Sequence, residues 1–212
     1  MVYQHSQTNK FPKTLPAICG KYFVSLAAAF LISGSAVAAE AKPDPQKMQE
    51  LQKIMQHQMM LMKPELQAKV KVLSPKTKQS LMKILAQHSR YSDTATLRQV
   101  MTEVLADYQS MVSGIMTENK EQVADSARRL ANHRIPVGGL LPYLGLENVN
   151  DDRLAILEGF NDSVEGNAKK LASAADAGDM AQAASFVGPI TSGCVSCHAT
   201  FRSQPGLSNL LR

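Results

Sequence analysis

Two cysteines and a histidine near the end of the chain form the motif with the clearest chemistry. Residues 193–202 read GCVSCHATFR, with Cys194 and Cys197 three positions apart and His198 directly after the second cysteine. Two thiols at this spacing can add across the two vinyl groups of one porphyrin edge, and the adjacent histidine can reach the iron. The motif therefore predicts one haem c, attached covalently through two thioethers at Cys194 and Cys197.

Three other functions of this motif stay open. A zinc site would need further ligands, which His57, His88 or His133 could supply. A redox dithiol would need a thioredoxin-like βαβ context, which the sequence lacks. A disulfide between the two cysteines would close a loop too short to stabilise the chain much. Helical surroundings and the absence of any other cysteine after residue 39 favour haem.

The start of the chain has the pattern of a signal peptide. Lys10, Lys13 and Lys21 precede the apolar run YFVSLAAAFLI, and small residues at cleavage spacing follow in SAVAAE. The apolar run is about half as long as the roughly 20 residues of a membrane-spanning helix. We expect cleavage after Ala38 or Ala39, a periplasmic location, and no integral membrane segment in the mature chain.

The composition argues against two broad functions. The leader contains three lysines and no acidic residue, so the mature chain keeps 20 of the 23 basic residues against 18 acidic ones. This near balance lacks the basic footprint of a nucleic-acid-binding protein. No Ser/His/Asp set, acidic pair or phosphate loop stands out, so the sequence does not predict an enzyme.

Apolar residues recur at helical spacing along the chain, whereas strand patterns are sparse, so the sequence predicts an all-α protein. The predicted helix boundaries are a break at Pro64, an N-cap at Ser74, a start at Asp93 or Thr94, an N-cap at Asn119, a start at Asn150 or Asp151, a corner at Gly178 and Asp179, and a bend at Gly188 and Pro189. Antiparallel helices over about residues 94–203 predict an up-down-up-down four-helix bundle, preceded by two additional N-terminal helices.

A longer segment around the cysteines carries a family resemblance. Residues 169–202 read KKLASAADAGDMAQAASFVGPITSGCVSCHATFR. They contain the corner AADAGD, a glycine before the first cysteine, C-x-x-C-H, and an aromatic residue followed by arginine. The segment resembles the C-terminal half of class II c-type cytochromes, the cytochrome c′ family. The likeness implies a haem-binding four-helix bundle at residues 93–212.

The resemblance also implies roles for individual residues. Cys194 and Cys197 would hold the haem, and His198 would be the proximal iron ligand. Arg202 corresponds to the basic residue that the family places beside the haem. A solvated charge at the helix end is the other role open to Arg202.

Three parts of the chain are expected on this basis. They are a signal peptide at residues 1–39, an N-terminal helical extension at residues 40–92, and a cytochrome c′-like bundle with covalent haem at residues 93–212. The extension has no counterpart in the family, and it could cover the distal side of the haem, lengthen the bundle or mediate dimerisation. Homodimers are common in the family, which leaves a homodimer open here.

The distal side of the iron decides between two functions. In low-spin members of the family, a methionine from the first bundle helix binds the iron and favours electron transfer. In high-spin members, an apolar side chain covers that side and the iron binds NO or CO. Met101 in LRQVMTEVLADY is the candidate distal ligand, although the family pattern Arg-x-x-x-Met would place Thr102 there, counted from Arg98. The apolar candidates for a lid are Leu97, Val100 and Leu105.

The expected function is that of an exported monohaem c-type cytochrome transferring single electrons with redox partner proteins of the periplasm. A five-coordinate haem protein binding NO or CO is the first alternative. The second is a copper-handling helical protein, because residues 55–63, MQHQMMLMK, carry four methionines around His57. Packing on a neighbouring helix would equally explain these methionines. His57 and His88 are further candidates for the distal iron position.

Overall fold

The computed structural model of the protein describes residues 45–201 and Leu210. The predicted signal peptide and Arg202 lie outside these residues. Within them, the chain forms helices and turns with no β-strand, apart from an isolated bridge between Tyr91 and Ile135. This confirms the all-α prediction for the described part of the chain.

Most of the helices follow one another closely, and the longer connections run over residues 86–96 and 132–150. In chain order they are α1 (Pro45–Leu61), α2 (Pro64–Val72), α3 (Pro75–Leu85), α4 (Leu97–Met116), α5 (Lys120–Ala131), α6 (Asp151–Leu154), α7 (Leu157–Asn161), α8 (Asn167–Asp176), α9 (Met180–Ser185) and α10 (Val187–Phe201). Short 3₁₀ turns at Leu141–Tyr143 and Leu146–Asn148 lie between α5 and α6, and a π-turn at Asp162–Gly166 joins α7 to α8.

Several predicted boundaries are confirmed by their hydrogen bonds. The side-chain oxygens of Ser74, Asn119, Asn150 and Asp179 each accept a bond from the backbone N–H three residues later. Each oxygen satisfies one of the donors that the first turn of a helix leaves unpaired. Gly178, before Asp179, has a φ of 78°, which suits glycine at the corner between α8 and α9.

One helix begins later than the sequence predicted. The first residue of α4 is Leu97 rather than a residue next to Asp93 or Thr94. Thr96 and Gln99 form a capping box, in which the Thr96 N–H donates to Gln99 Oε1 at 2.8 Å and the Thr96 hydroxyl accepts from the Gln99 N–H. This reciprocal pair fixes the start of the helix.

The long helix predicted after Asn150 is interrupted. The structure divides it into α6, α7, the π-turn and α8. Gly159 and Gly166 lower the helix propensity of this stretch, and π-turns are frequent at functional sites. The last helix is also divided, between α9 and α10, and Pro189 lies in the first turn of α10, where its missing N–H costs little.

The buried side chains form two cores. The first joins α4, α5, α8, α9 and α10 and consists of Met111, Val123, Ala124, Ala127, Leu130, Ala131, Ala168, Leu171, Ala172, Ala174, Ala175, Ala183 and Ile190. Its many alanines allow α5 to pack closely along α8. The second joins the N-terminal helices to the segment after α5 and to α10, and consists of Met62, Leu66, Leu73, Leu141, Leu144, Val149, Leu154, Leu157, Phe201 and Leu210.

Polar contacts hold α3 on α6 and α7. The Thr77 hydroxyl donates to Asp151 Oδ1 at 2.6 Å, and the Ser80 hydroxyl donates to Glu158. Lys83 forms an ion pair with the same Glu158. The extension therefore lies against the segment that leads into the π-turn. Among the described helices, none combines the length and the apolar composition required to span a bilayer.

Candidate functional site

The two cysteines lie on one side of α10, because residues three apart on a helix share a face. Both are partly buried thiols. Cys194 packs against the first core and Cys197 against the second, so the pair lies where the two cores meet. His198, one step of about 100° around the helix from Cys197, is exposed.

The surroundings of these thiols determine their reactivity. Burial raises the pKa of Cys194 and Cys197, and the nearby negative charge of Glu165 raises both further. The pKa of Cys197 reaches about 11. A redox-active dithiol requires a lowered thiol pKa, so this environment disfavours the redox-dithiol alternative.

Gly193 allows α10 to approach the π-turn closely. A Cβ atom at this position would lie 2.9 Å from Ser163 Cβ and 2.8 Å from Val164 Cγ2. Only a residue without a side chain therefore fits directly before Cys194. The π-turn also carries Glu165, whose charge acts on both thiols.

We expect Gly193→Ala to lower the free energy of unfolding by about 1–3 kcal/mol, because the added methyl group would overpack the contact with Ser163 and Val164. Gly159→Ala is the matched control, since it is a helical glycine with no atom within 4 Å of an added Cβ. The control should be neutral or stabilising by up to about 1 kcal/mol. Urea denaturation of both variants measures the difference, and equal stabilities would contradict the close approach.

Two further contacts position α10. The Tyr108 hydroxyl of α4 lies 2.6 Å from the Thr191 hydroxyl, one turn before Cys194. At the other end, the rings of Phe160 and Phe201 pack edge to face with centroids 6.3 Å apart. The cysteine motif is therefore fixed on both sides along its helix.

The structure places Met101 away from the most buried side of α4. Val100 and Met111 are fully buried, whereas Met101 is partly exposed. Leu105, one of the candidates for an apolar lid, is 54% exposed, because α4 turns the Val100 side of the helix inward. Leu97, the third candidate for an apolar lid, is partly buried.

The methionines of residues 55–63, at and just after the end of α1, differ in their burial. Met62 is buried in the second core and Met59 packs against it. Met60 is 62% exposed, so the three thioethers differ in their surroundings. His57, in the same segment, is exposed and its Nε2 lies 3.0 Å from Asp93 Oδ1.

A second group of chemically active side chains was not predicted from the sequence. His88, His133 and Glu165 each offer one ligand atom, and these atoms lie within 4.8 Å of one another. From the sequence, His88 and His133 were named only as possible further ligands for a zinc ion at the cysteine motif, and His88 also as a candidate for the distal iron position. Glu165 was not named, because nothing in the sequence spacing brings it to the two histidines.

The side chains on α10 include the residue types that covalent haem attachment would use. They are two unpaired thiols on one helix face, three residues apart, with a histidine directly after the second. These are the groups that haem c attachment requires. Comparisons with protein-family models, with curated proteins and with solved structures find no match to this chain.

Proposed function

We propose that this chain is an exported monohaem c-type cytochrome that transfers single electrons. The observation that carries the proposal is the pair of thiols of Cys194 and Cys197 on one side of α10, followed by His198. Haem c supplies an iron that changes oxidation state by one electron. Cys194 and Cys197 anchor the group, and His198 binds the iron as the proximal ligand.

The arrangement of the helices supports the cytochrome c′-like bundle over about residues 94–203. Helix α4 packs along α5, α5 along α8, α8 against α9, and α9 returns to α4. A closed ring of neighbours of this kind is expected of an up-down-up-down bundle. We place the leader at residues 1–39 and the additional helical extension at residues 40–92.

The extension packs against one end of the motif. Met62 and Leu66 of the extension share the second core with Phe201, and Cys197 packs against this core. Partial burial of a haem attachment site lowers the local dielectric, which tunes the redox potential. His198 is exposed on the same helix, and we expect electron exchange with periplasmic partner proteins.

An absorption spectrum of the mature chain, produced with the haem-attachment machinery, tests the proposal. We expect covalent haem that survives denaturation, and sharp α and β bands after reduction that CO does not change. A chain without covalent haem would contradict the proposal and favour zinc or copper binding. A reduced spectrum that shifts with CO would show an open sixth position and favour the gas-binding alternative.

One observation favours that alternative, a five-coordinate haem that binds NO or CO. Val100 is fully buried on α4, whereas its neighbour Met101 is partly exposed. An apolar side chain on the inner side of this helix would cover the distal side of the iron without binding it. The two functions share the same anchors and differ only in the sixth ligand.

Replacement of Met101 decides between the two. If Met101 is the distal ligand, Met101→Ala should convert the low-spin reduced spectrum to one that shifts with CO. Met116→Ala is the control, because Met116 lies on the same helix and is 78% exposed. Retention of the low-spin spectrum in Met101→Ala would show that another group binds the iron.

A further inference from the structure

Three ligand-bearing side chains from distant parts of the sequence meet beside the π-turn. His88 follows α3, His133 follows α5, and Glu165 lies in the π-turn itself. Their ligand atoms lie within 4.8 Å of one another, and the two imidazole centroids are 4.7 Å apart. A cluster of two imidazoles and one carboxylate is a set of metal ligands that needs no cysteine.

One ring nitrogen of the buried His88 side chain has no hydrogen-bond partner. His88 is 6% exposed, and its Nδ1 lies 3.0 Å from the Ile84 carbonyl oxygen, to which it donates. The remaining Nε2 carries a lone pair, is buried and has no hydrogen-bond partner. A buried polar atom left unpaired costs free energy and calls for a physical reason.

His133 and Glu165 complete the set. His133 Nδ1 lies 2.9 Å from the Arg134 carbonyl oxygen, so Nε2 is the nitrogen directed at Glu165 Oε1, 3.1 Å away. Glu165 is 8% exposed, and its second oxygen, Oε2, is buried without a partner. Metal-binding histidines in proteins commonly donate their other ring N–H to a backbone carbonyl. Both histidines here are held in this way.

We propose that His88, His133 and Glu165 form a binding site for a divalent transition metal, with Zn²⁺ as the best-matched ion. Imidazole nitrogens and one carboxylate suit zinc, whereas Ca²⁺ and Mg²⁺ prefer oxygen ligands and Cu(I) prefers sulfur. The bound ion would give partners to His88 Nε2 and Glu165 Oε2, the two atoms that are buried and unpaired in the metal-free protein.

A metal ion at this site would connect three parts of the chain that the proposed haem attachment to α10 does not connect. It ties the end of the extension, at His88, to the end of α5 and to the π-turn on which α10 packs. With three protein ligands, one coordination position is left for water or another small ligand. The proposal goes beyond haem attachment and does not depend on it.

Zinc binding to the metal-free mature protein tests the site. Competition against a chromophoric chelator should show one Zn²⁺ bound with a Kd below about 1 µM. X-ray absorption at the zinc edge should show nitrogen and oxygen ligands at about 2.0–2.1 Å and no sulfur at about 2.3 Å. Glu165→Gln and His88→Gln should each weaken binding by at least about tenfold. His57→Ala, which changes an exposed histidine, should bind zinc like the unchanged protein.

The haem-free double variant Cys194→Ala/Cys197→Ala separates this proposal from the proposed function. This variant should bind zinc with unchanged affinity, so zinc binding can be measured even if the chain attaches no haem. Sulfur in the zinc coordination shell would overturn the assignment in favour of the cysteine motif. Absence of binding in the full chain would overturn it as well. A change in the haem spectrum of His88→Gln, without zinc binding in any form, would assign His88 to the haem iron instead.

Discussion

A mature chain carrying both Cys194→Ala and Cys197→Ala is expected to contain no covalently bound haem. Each thioether needs one sulfur, and α10 holds the two thiols on one side of the helix. A single replacement leaves one sulfur and should retain part of the attached haem. The measurement is the haem-dependent absorbance that remains with the polypeptide after denaturation, together with the mass of the intact chain.

Ser196→Ala provides the control for this experiment. Ser196 lies between the two cysteines and is exposed, so its loss changes the same helix without removing a sulfur. It should keep the full amount of covalent haem. Haem that stays attached in the double cysteine variant would show another covalent bond, and a haem-free unchanged chain would contradict the proposed function.

Helix starts could be predicted from the sequence where the capping residue and the helix that it caps lie within a few residues of each other. Ser74, Asn119 and Asp179 are short polar side chains before apolar helical patterns, and each caps the helix that follows. The helix start at Thr96 was missed because the pattern around Asp93 offered a competing cap. The cysteine motif is also visible in the sequence because it depends on spacing over a few residues, and its haem chemistry stays a prediction.

Which side chains are buried, and which distant residues meet, depends on tertiary contacts that sequence spacing does not show. His133 and Glu165 are separated by 32 residues, and Glu165 contacts His133 from the π-turn that interrupts the long helix predicted there. The rotation of α4 about its axis is similarly fixed by tertiary packing, and it buries Val100 rather than Met101. A shift of one residue on a helix changes direction by about 100°, so a periodic pattern alone left both choices open.

His133→Ala is expected to lower the free energy of unfolding by about 3–5 kcal/mol in the presence of a metal chelator. Burial lowers the pKa of His133, but the hydrogen bond and charge of Glu165 outweigh this effect and raise it above 6.5. Removing His133 therefore leaves the Glu165 carboxylate buried without its cation. His57→Ala removes a similar contact, 3.0 Å from Asp93 but exposed, and should cost less than about 1 kcal/mol. Urea denaturation measures both.

Adding Glu165→Gln to His133→Ala shows whether the loss of stability comes from charge or from packing. If an uncompensated carboxylate causes the instability of His133→Ala, a neutral amide at position 165 should restore part of the lost stability. The two substitutions are in direct contact, 3.1 Å apart in the unchanged protein, so their effects should not add. Additive losses would mean that the cavity left by the imidazole dominates, because a cavity costs the same whichever side chain stands at position 165. Partial recovery would instead show that electrostatic compensation holds the π-turn against the end of α5.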